Sequence, residues 1–553
     1  MNTPPLTIGR YVAQLLMANG IDTVFGIPGV HTLELYRGLA SSGLRHVLVR
    51  HEQAAGFAAD GYARVSGRPA AAFVISGPGV TNILTSMAQA YSDSVPMLII
   101  ASTPVRASLG ERWGVLHELP NQHALVAALL ATARSARSAE DVRDHLRAAF
   151  ASFQTGRARP AYLEIPLDLL AEATTLRAER FDSARVLPQP QPAEIERALA
   201  LLEGAARPLI IAGGGAKSAA APLRQLVGAL DGFLVTTAAG KGILPEDHPA
   251  NLGASLPYSG IQALIATADV VLAVGTELSE TDVYTTTKLA VPGDMIRIDV
   301  DPARLCDQYG AKVAVCGDAA TTIAALGRAV RTRSGWRTLI GDAAVHRARL
   351  EALFDAGTQA RLQALRALRA SLPADAVVFS DMTQIAYLGN YAFSADRPGT
   401  WFHPSGYGTL GYALPAALGA KIAAPERAVV VLAGDFGLQF TLHELMTAVE
   451  EGVSLPIVVW NNAALGQIRD DMIAADIEPI AVAARNPDFM ALAAACGAHG
   501  VRVANPQTLA QAVRAALGRP GPTLIEAPER EFLAHSPMGY DTGVCQPGVP
   551  IRS

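Results

Sequence analysis

The run AVVVLAGDFG (428–437), followed by LPIVVWNN (455–462), decides how this chain is read. Each opens with a short block of Val, Leu and Ile, as in a strand buried on both faces of a parallel sheet. Each block stops at turn-forming polar residues. Asp435 therefore ends one strand, and Asn461 and Asn462 end the next, with Asn462 27 positions after Asp435. In isolation GD and NN are only turn residues after buried strands. Together they offer a carboxylate and an amide oxygen on neighbouring strand ends, with a backbone carbonyl just beyond. Mg²⁺ takes a near-octahedral set of oxygens and commonly only one or two protein side chains, phosphate and water supplying the rest. The trio would form half of such a shell.

The same α/β unit extends from AVVFSDM (376–382) to PTLIEAP (522–528). Upstream, a charged helical stretch near 343–370 joins it to a second unit built from PLIIAGGGAKSA (208–219), DVVLAVGTEL (269–278) and MIRIDVDP (295–302). A first unit precedes the Pro/Gln linker VLPQPQPAE (186–194). It alternates helical pieces such as EQAAGFAADGYARVSG (52–67) with apolar runs such as AAAFVISGPG (70–79). Repeated βα units predict parallel sheets covered by helices on both faces, with ligands at the carboxyl ends of strands. GIPG (26–29) and SGPG (76–79) occupy such ends. The expected fold class is α/β, with three doubly wound parallel-sheet domains at 1–172, 190–332 and 357–530, and a Gly/Pro-rich tail at 531–553.

Of 553 residues half are apolar and 17% charged, enough for large cores and large subunit interfaces. The 45 basic and 50 acidic residues are spread along the chain, so no basic block marks a nucleic-acid partner. Cys306, Cys316, Cys496 and Cys545 form no CxxC pair, which fits a reducing compartment. The N-terminus lacks a signal-peptide pattern, and no apolar run approaches the roughly 18 residues of a membrane span. A cytoplasmic protein without membrane association is expected.

With GDFG and NN at this spacing, the chain resembles the thiamine-diphosphate-dependent decarboxylase and acetolactate synthase superfamily, whose signature is GDG, a spacer and NN. The resemblance implies thiamine diphosphate and Mg²⁺ as cofactors. It makes Asp435 and Asn462 side-chain ligands of the metal and Ala464 a carbonyl ligand. Gly434, Phe436, Gly437, Leu465 and Gly466 are carried over as cofactor-binding. Phe436 stands where the signature has Gly; with Gly437 next, the turn is expected to survive on an altered path. HEQAA (51–55) resembles the family's catalytic segment, so Glu52 would hydrogen-bond the aminopyrimidine ring and stabilise its imino tautomer. An isolated Glu near a helix start would otherwise be a solvated end charge. GYGTLGYALPAALGAK (406–421) resembles the segment that lies against the cofactor rings, with Leu410 wedged between them and the Gly408 carbonyl facing the amino group. Ser380, Thr383 and Gln384 would contact the diphosphate. Pro28, Gly29 and SGPGVTN (76–82) would line the cleft from the first domain. The domains become pyrimidine-binding, central and diphosphate-binding. In this family the cofactor lies between the first domain of one subunit and the third of another, so a homodimer is the minimal unit and a homotetramer is common.

Within the family, Val30 follows GIPG where pyruvate and indolepyruvate decarboxylases carry Asp and benzoylformate decarboxylases Ser, and no adjacent His pair is present. Glyoxylate carboligase lacks the Glu found here. The helix after NN lacks the Trp of acetolactate synthases. FGIPGVHTLELYRGL (25–39), GERWGVLHELPNQ (110–122), GTELSETD (275–282) and IRDDMIAADIEP (468–479) look most like 5-guanidino-2-oxopentanoate (2-ketoarginine) decarboxylases. A guanidinium substrate needs a carboxylate partner. The candidates are Glu118, Asp470, Asp471, Glu280 and Asp282, with Glu118 preferred. Val30 and Gln467 are further substrate candidates, and His117 a proton donor. Leu465 and Gln467 stand where relatives often carry Tyr and Glu. The implied reaction converts the 2-oxo acid to 4-guanidinobutanal and CO₂; the alternative is acetolactate-synthase-like carboligation to 2-hydroxy ketones. A flavin-dependent variant would use AGGGAKSA (212–219), and a non-catalytic subunit would have lost Glu52, Asp435 or Asn462.

Overall fold

The structure is a computed structural model that describes residues 6–182, 186–284 and 288–534, so the tail expected at 531–553 lies outside the described residues from 535 onward. Three six-stranded parallel sheets follow one another. The first contains β1 (Thr23–Gly26), β2 (Arg45–Leu48), β3 (Ala71–Val74), β4 (Leu98–Thr103), β5 (Ala133–Ser135) and β6 (Ala161–Pro166), in the order β2-β1-β3-β4-β6-β5. The second contains β7 (Pro208–Ala212), β8 (Phe233–Thr236), β9 (Asn251–Gly253), β10 (Val270–Val274), β11 (Asp294–Asp299) and β12 (Val313–Cys316), in the order β12-β11-β10-β7-β8-β9. The third contains β13 (Val377–Ser380), β14 (Trp401–Phe402), β15 (Val429–Gly434), β16 (Leu455–Asn461), β17 (His499–Arg502) and β18 (Pro522–Pro528), in the order β14-β13-β15-β16-β18-β17.

The inner strands are apolar along their whole length because helices cover both faces. Every residue of β3, β10 and β15 is buried. In each sheet the strand order reverses beside the first strand laid down, and the loops at that reversal splay apart at the carboxyl ends, where a doubly wound sheet receives ligands. In the first sheet the reversal lies between β1 and β3, the strands that lead into GIPG and SGPG. In the third it lies between β13 and β15. There Gly434 pairs in register with Trp460, which brings Asp435 beside Asn461. The first and third units pack through the helices Glu52–Ser66 and Ala413–Ala423. Gly61 and Gly419 permit that contact, since a Cβ on either would lie 1.8 Å from the other helix's backbone oxygen.

Candidate active site

At the end of β15, Asp435 is 2% exposed. Burial raises its carboxyl above the usual range; the Asn486 amide and the backbone N–H groups of Phe436 and Ala463 oppose that shift. The counterweight is hydrogen bonding and not a cationic side chain, a state that a divalent ion would relieve. Asn486 Nδ2 donates to Asp435 Oδ2 at 2.6 Å and to Asn461 Oδ1 at 2.9 Å, locking the two strand ends together. Asn462 Oδ1 accepts from the Ala464 amide at 3.1 Å, so the loop turns tightly there. Around this point the backbone leaves no room for side chains. A Cβ on Gly434 would lie 2.9 Å from Thr383 Oγ1, and one on Gly466 2.5 Å from Asn462 Nδ2 and 2.7 Å from Gln384 Oε1. The helices Gln384–Ala392 and Gly466–Ala474 both begin at this cradle. Their unpaired N–H groups and dipoles favour an anion such as a diphosphate. Among the described residues no three His, Cys, Asp or Glu side chains gather as a metal site. One carboxylate with amide and carbonyl oxygens is instead the donor set of a Mg²⁺ shared with phosphate. The residues present therefore fit a Mg²⁺-diphosphate group.

Phe436 lies inside the helix Asp435–Gln439 and is absent from the positive-φ residues, so this turn does not demand glycine. Ser380 is fully buried, and its hydroxyl is engaged by the Phe402 carbonyl and His403. It ties β13 to β14 and leaves Thr383 and Gln384 as the polar groups at the cradle. Gln384 is itself held between Arg361 and Asp470. Leu410 is half-buried beyond Gly408, whose φ is +71°. The buried Asp381 fixes this segment by accepting from the Gly411 amide at 3.0 Å, and burial pushes its pKa up to about 6.

On the first sheet, Glu52 opens its helix and accepts from Asn82 Nδ2 at 2.9 Å. A Cβ on Gly79 would lie 3.5 Å from Glu52 Oε1, so SGPG wraps the carboxylate. Just before Glu52, the amide of Arg50 donates to Glu444 at 2.9 Å. Pro28 and Val30 are exposed at the same edge, with Gly29 half-buried between them.

One chain does not bring the two halves together. Thr409 contacts Gln89 and Gly406 contacts Asp93, near the far end of the helix Pro78–Ser92 that starts beside Asn82. At 1.5 Å per residue those contacts lie roughly 10–16 Å along the helix from Glu52. The chain's own Leu410 segment thus packs at the opposite end of that helix from Glu52.

Of the substrate candidates, Asp282 caps its own helix through Ser279, Glu280 is exposed, Asp470 is engaged by Gln384 and Arg469, and Asp471 holds Gln467. Glu118 Oε2 accepts from the Gly114 amide at 2.7 Å, while Oε1 is buried without a partner. His117 Nδ1 is likewise buried and unpartnered. Its neighbour across the loop is His31, with ring centroids 5.1 Å apart. His31, Asn486, Asp381 and Glu444 were not among the residues singled out from sequence. His31 and Asp381 had a signal, their places directly after Val30 and Ser380; Asn486 and Glu444 meet the site from other segments.

Family models described as "Thiamine pyrophosphate enzyme, N-terminal TPP binding domain", "central domain" and "C-terminal TPP binding domain" match residues 6–125, 195–326 and 381–527. The chain belongs to the thiamine pyrophosphate enzyme family. It is 50% identical over 535 residues, 94% of each chain, to a "Probable 2-ketoarginine decarboxylase" of Pseudomonas aeruginosa. It is also 31% identical to the acetolactate synthase large subunit of Parasynechococcus marenigrum, over 97% of this chain and 90% of that one. With the acetolactate synthase isozyme 1 large subunit of Escherichia coli it shares 29% identity, over 94% of this chain and 93% of the relative.

Proposed function

We propose that the chain is a thiamine-diphosphate- and Mg²⁺-dependent decarboxylase that converts 2-ketoarginine to 4-guanidinobutanal and CO₂. The observation that carries the substrate is Glu118, whose Oε1 is buried and unpartnered, in the residue that follows His117, whose Nδ1 is also buried and unpartnered. A buried carboxylate oxygen without a partner is costly, and a guanidinium is the group that would satisfy it best. The likeness to a protein named for that reaction supports the same reading.

Thr383, Gln384, Asn462 and the carboxylate of Asp435 would hold the Mg²⁺-diphosphate, with the Ala464 carbonyl completing the protein's share. Bound thiamine diphosphate supplies an electron sink for the pair released when CO₂ leaves. Glu52 would hold a proton on the aminopyrimidine ring, and Asn82 fixes its second oxygen so that one face remains free for that bond. Leu410 would set the ring orientation by bulk. Glu118 would bind the guanidinium, and His117 would give a proton to the carbon that lost CO₂. The functional units are taken as 1–172, 190–332 and 357–530. A homodimer is the smallest assembly in which Glu52 and Leu410 can touch one cofactor. The exposed Val30, Leu33, Trp113 and Leu116 on the first unit, with Ile468, Ile473 and Ile480 on the third, support such pairing. Among the described residues no helix is long and apolar enough to cross a membrane, and we place the enzyme in the cytoplasm.

The test is incubation with both cofactors and a panel of 2-oxo acids, with CO₂ and product identified. Rapid 4-guanidinobutanal formation from 2-ketoarginine, lost mainly in KM on Glu118→Gln, is expected. Acetolactate from pyruvate with 2-ketoarginine inert would instead establish the carboligase reading, which the likeness to acetolactate synthases favours.

A further inference from the structure

His31 and His117 come from opposite sides of the β1/β3 reversal, one from the loop after β1 and the other from the loop after β4. Their rings meet edge to face at 69°. His31 Nδ1 bonds the Ser76 hydroxyl, and Ser76 is itself fully buried, with its amide on Ser102 Oγ at 3.2 Å. The His31 ring is therefore anchored through one nitrogen, and Nε2 is the nitrogen left to exchange a proton. His117 is delivered by strained backbone, with a φ of +62°. Its carbonyl lies 2.5 Å from where a Cβ on Gly77 would stand, so only glycine at 77 permits the approach. Strain of this kind persists only where surrounding structure enforces it, and it collects at functional sites. Gly77 is two residues from Gly79, which borders the Glu52 carboxylate.

We propose that His31 is a second acid–base group of this site, working with His117 as a pair that together holds the one proton each decarboxylation consumes. The inference rests on the decarboxylase reading. Loss of CO₂ from a 2-oxo carboxylate breaks a C–C bond, whose electron pair ends in a new C–H bond of the aldehyde. One proton is taken up per CO₂. His117 delivers it from the pair, and His31 refills the pair from solvent. Two cationic rings at 5.1 Å repel, which makes a second proton on the pair costly. Burial and the neighbouring His117 both hold His31 below the usual histidine pKa, so His31 surrenders its proton readily. The pair thereby decides product class. A carbon protonated promptly leaves as aldehyde, whereas one left unprotonated can attack a second carbonyl and give a 2-hydroxy ketone.

The experiment compares wild type with His31→Asn, His117→Gln and the double variant, using the 2-oxo acid that the wild type turns over best. Asn can keep the bond to Ser76 while removing the exchangeable nitrogen. CO₂ release, KM, and the aldehyde-to-hydroxyketone ratio with added benzaldehyde are measured. Thiamine diphosphate affinity, followed by tryptophan fluorescence, checks that each variant is folded. Expected are a fall in kcat of about 10-fold or more for His31→Asn, KM changed by less than about threefold, and a shift toward hydroxy ketone. The double variant should be no worse than about threefold below the poorer single, as for groups acting as a unit. Ser76→Ala, which removes only the anchor, should show the same product shift at smaller amplitude. Unchanged kcat and product ratio in His31→Asn, an effect on KM alone, or losses that multiply in the double variant would each overturn the pair. Absence of CO₂ from the wild type with every 2-oxo acid would overturn the decarboxylase reading and the pair with it.

Discussion

The second and third sheets share an architecture and use glycine at the strand reversal for opposite purposes. After β7, a Cβ on Gly213 would lie 2.3 Å from the Gly275 carbonyl, and the Gly215 amide donates to that same oxygen at 3.0 Å. The two loops close on each other, backbone to backbone. After β15 and β16, the glycines at 434 and 466 face Thr383, Gln384 and Asn462 instead. The crevice stays polar, with a buried carboxylate beside it. One doubly wound fold thus yields a packing seam in one place and a polar crevice, the proposed cofactor cradle, in the other. What the glycine abuts makes the difference.

The comparison breaks most sharply at Asp435. Asp435→Ala should lower CO₂ release by roughly 10³-fold, the several kcal/mol that a positioned metal contributes, and weaken Mg²⁺-dependent cofactor binding in titrations; near-wild-type affinity would remove Asp435 from the cradle. Asn486→Ala acts through Asp435 and should raise the Mg²⁺ concentration for half-maximal cofactor binding by roughly 10–100-fold. Gly275→Ala is the matching change in the seam. Gly275 has a φ of +54°, and its Cβ would meet the Gly215 carbonyl carbon at 2.5 Å. A stability loss of about 1–3 kcal/mol is expected, read as a lower Tm with cofactor affinity unchanged. A tenfold loss of affinity there would show that the central seam takes part in the site.

The smallest effect concerns the link between units. Glu444 is fully buried, and burial pushes its pKa up to about 7 while the Arg50 amide and Thr447 stabilise the charge. A folded pKa above the unfolded one means that its stabilising contribution is present at low pH and lost as pH rises through about 7. Tm should therefore fall between pH 6 and pH 8 by roughly 2 °C more in wild type than in Glu444→Gln. Parallel curves for the two proteins would dismiss this carboxyl as the titrating group.

Much of the fold was legible in the order of apolar runs and turn residues. AVVVLAGDFG and LPIVVWNN became β15 and β16, and the register between them sets Asp435 beside Asn461. The expectation of three α/β units with parallel sheets was met. Residue roles were legible only where a motif carries them. Ser380 looked like its neighbours Thr383 and Gln384 in the sequence, yet alternation along β13 turns its hydroxyl inward to His403.

By itself the sequence determined the strand ends, the residues available there and the class of cofactor they suit, because local pattern and spacing along one strand pair carry that information. Tertiary structure alone decided that Asn486 grips Asp435, that His31 stands over His117, and that Glu52 and the Leu410 segment of one chain sit at opposite ends of the helix Pro78–Ser92. Those pairings join residues far apart in the chain, and packing rather than local preference chooses them.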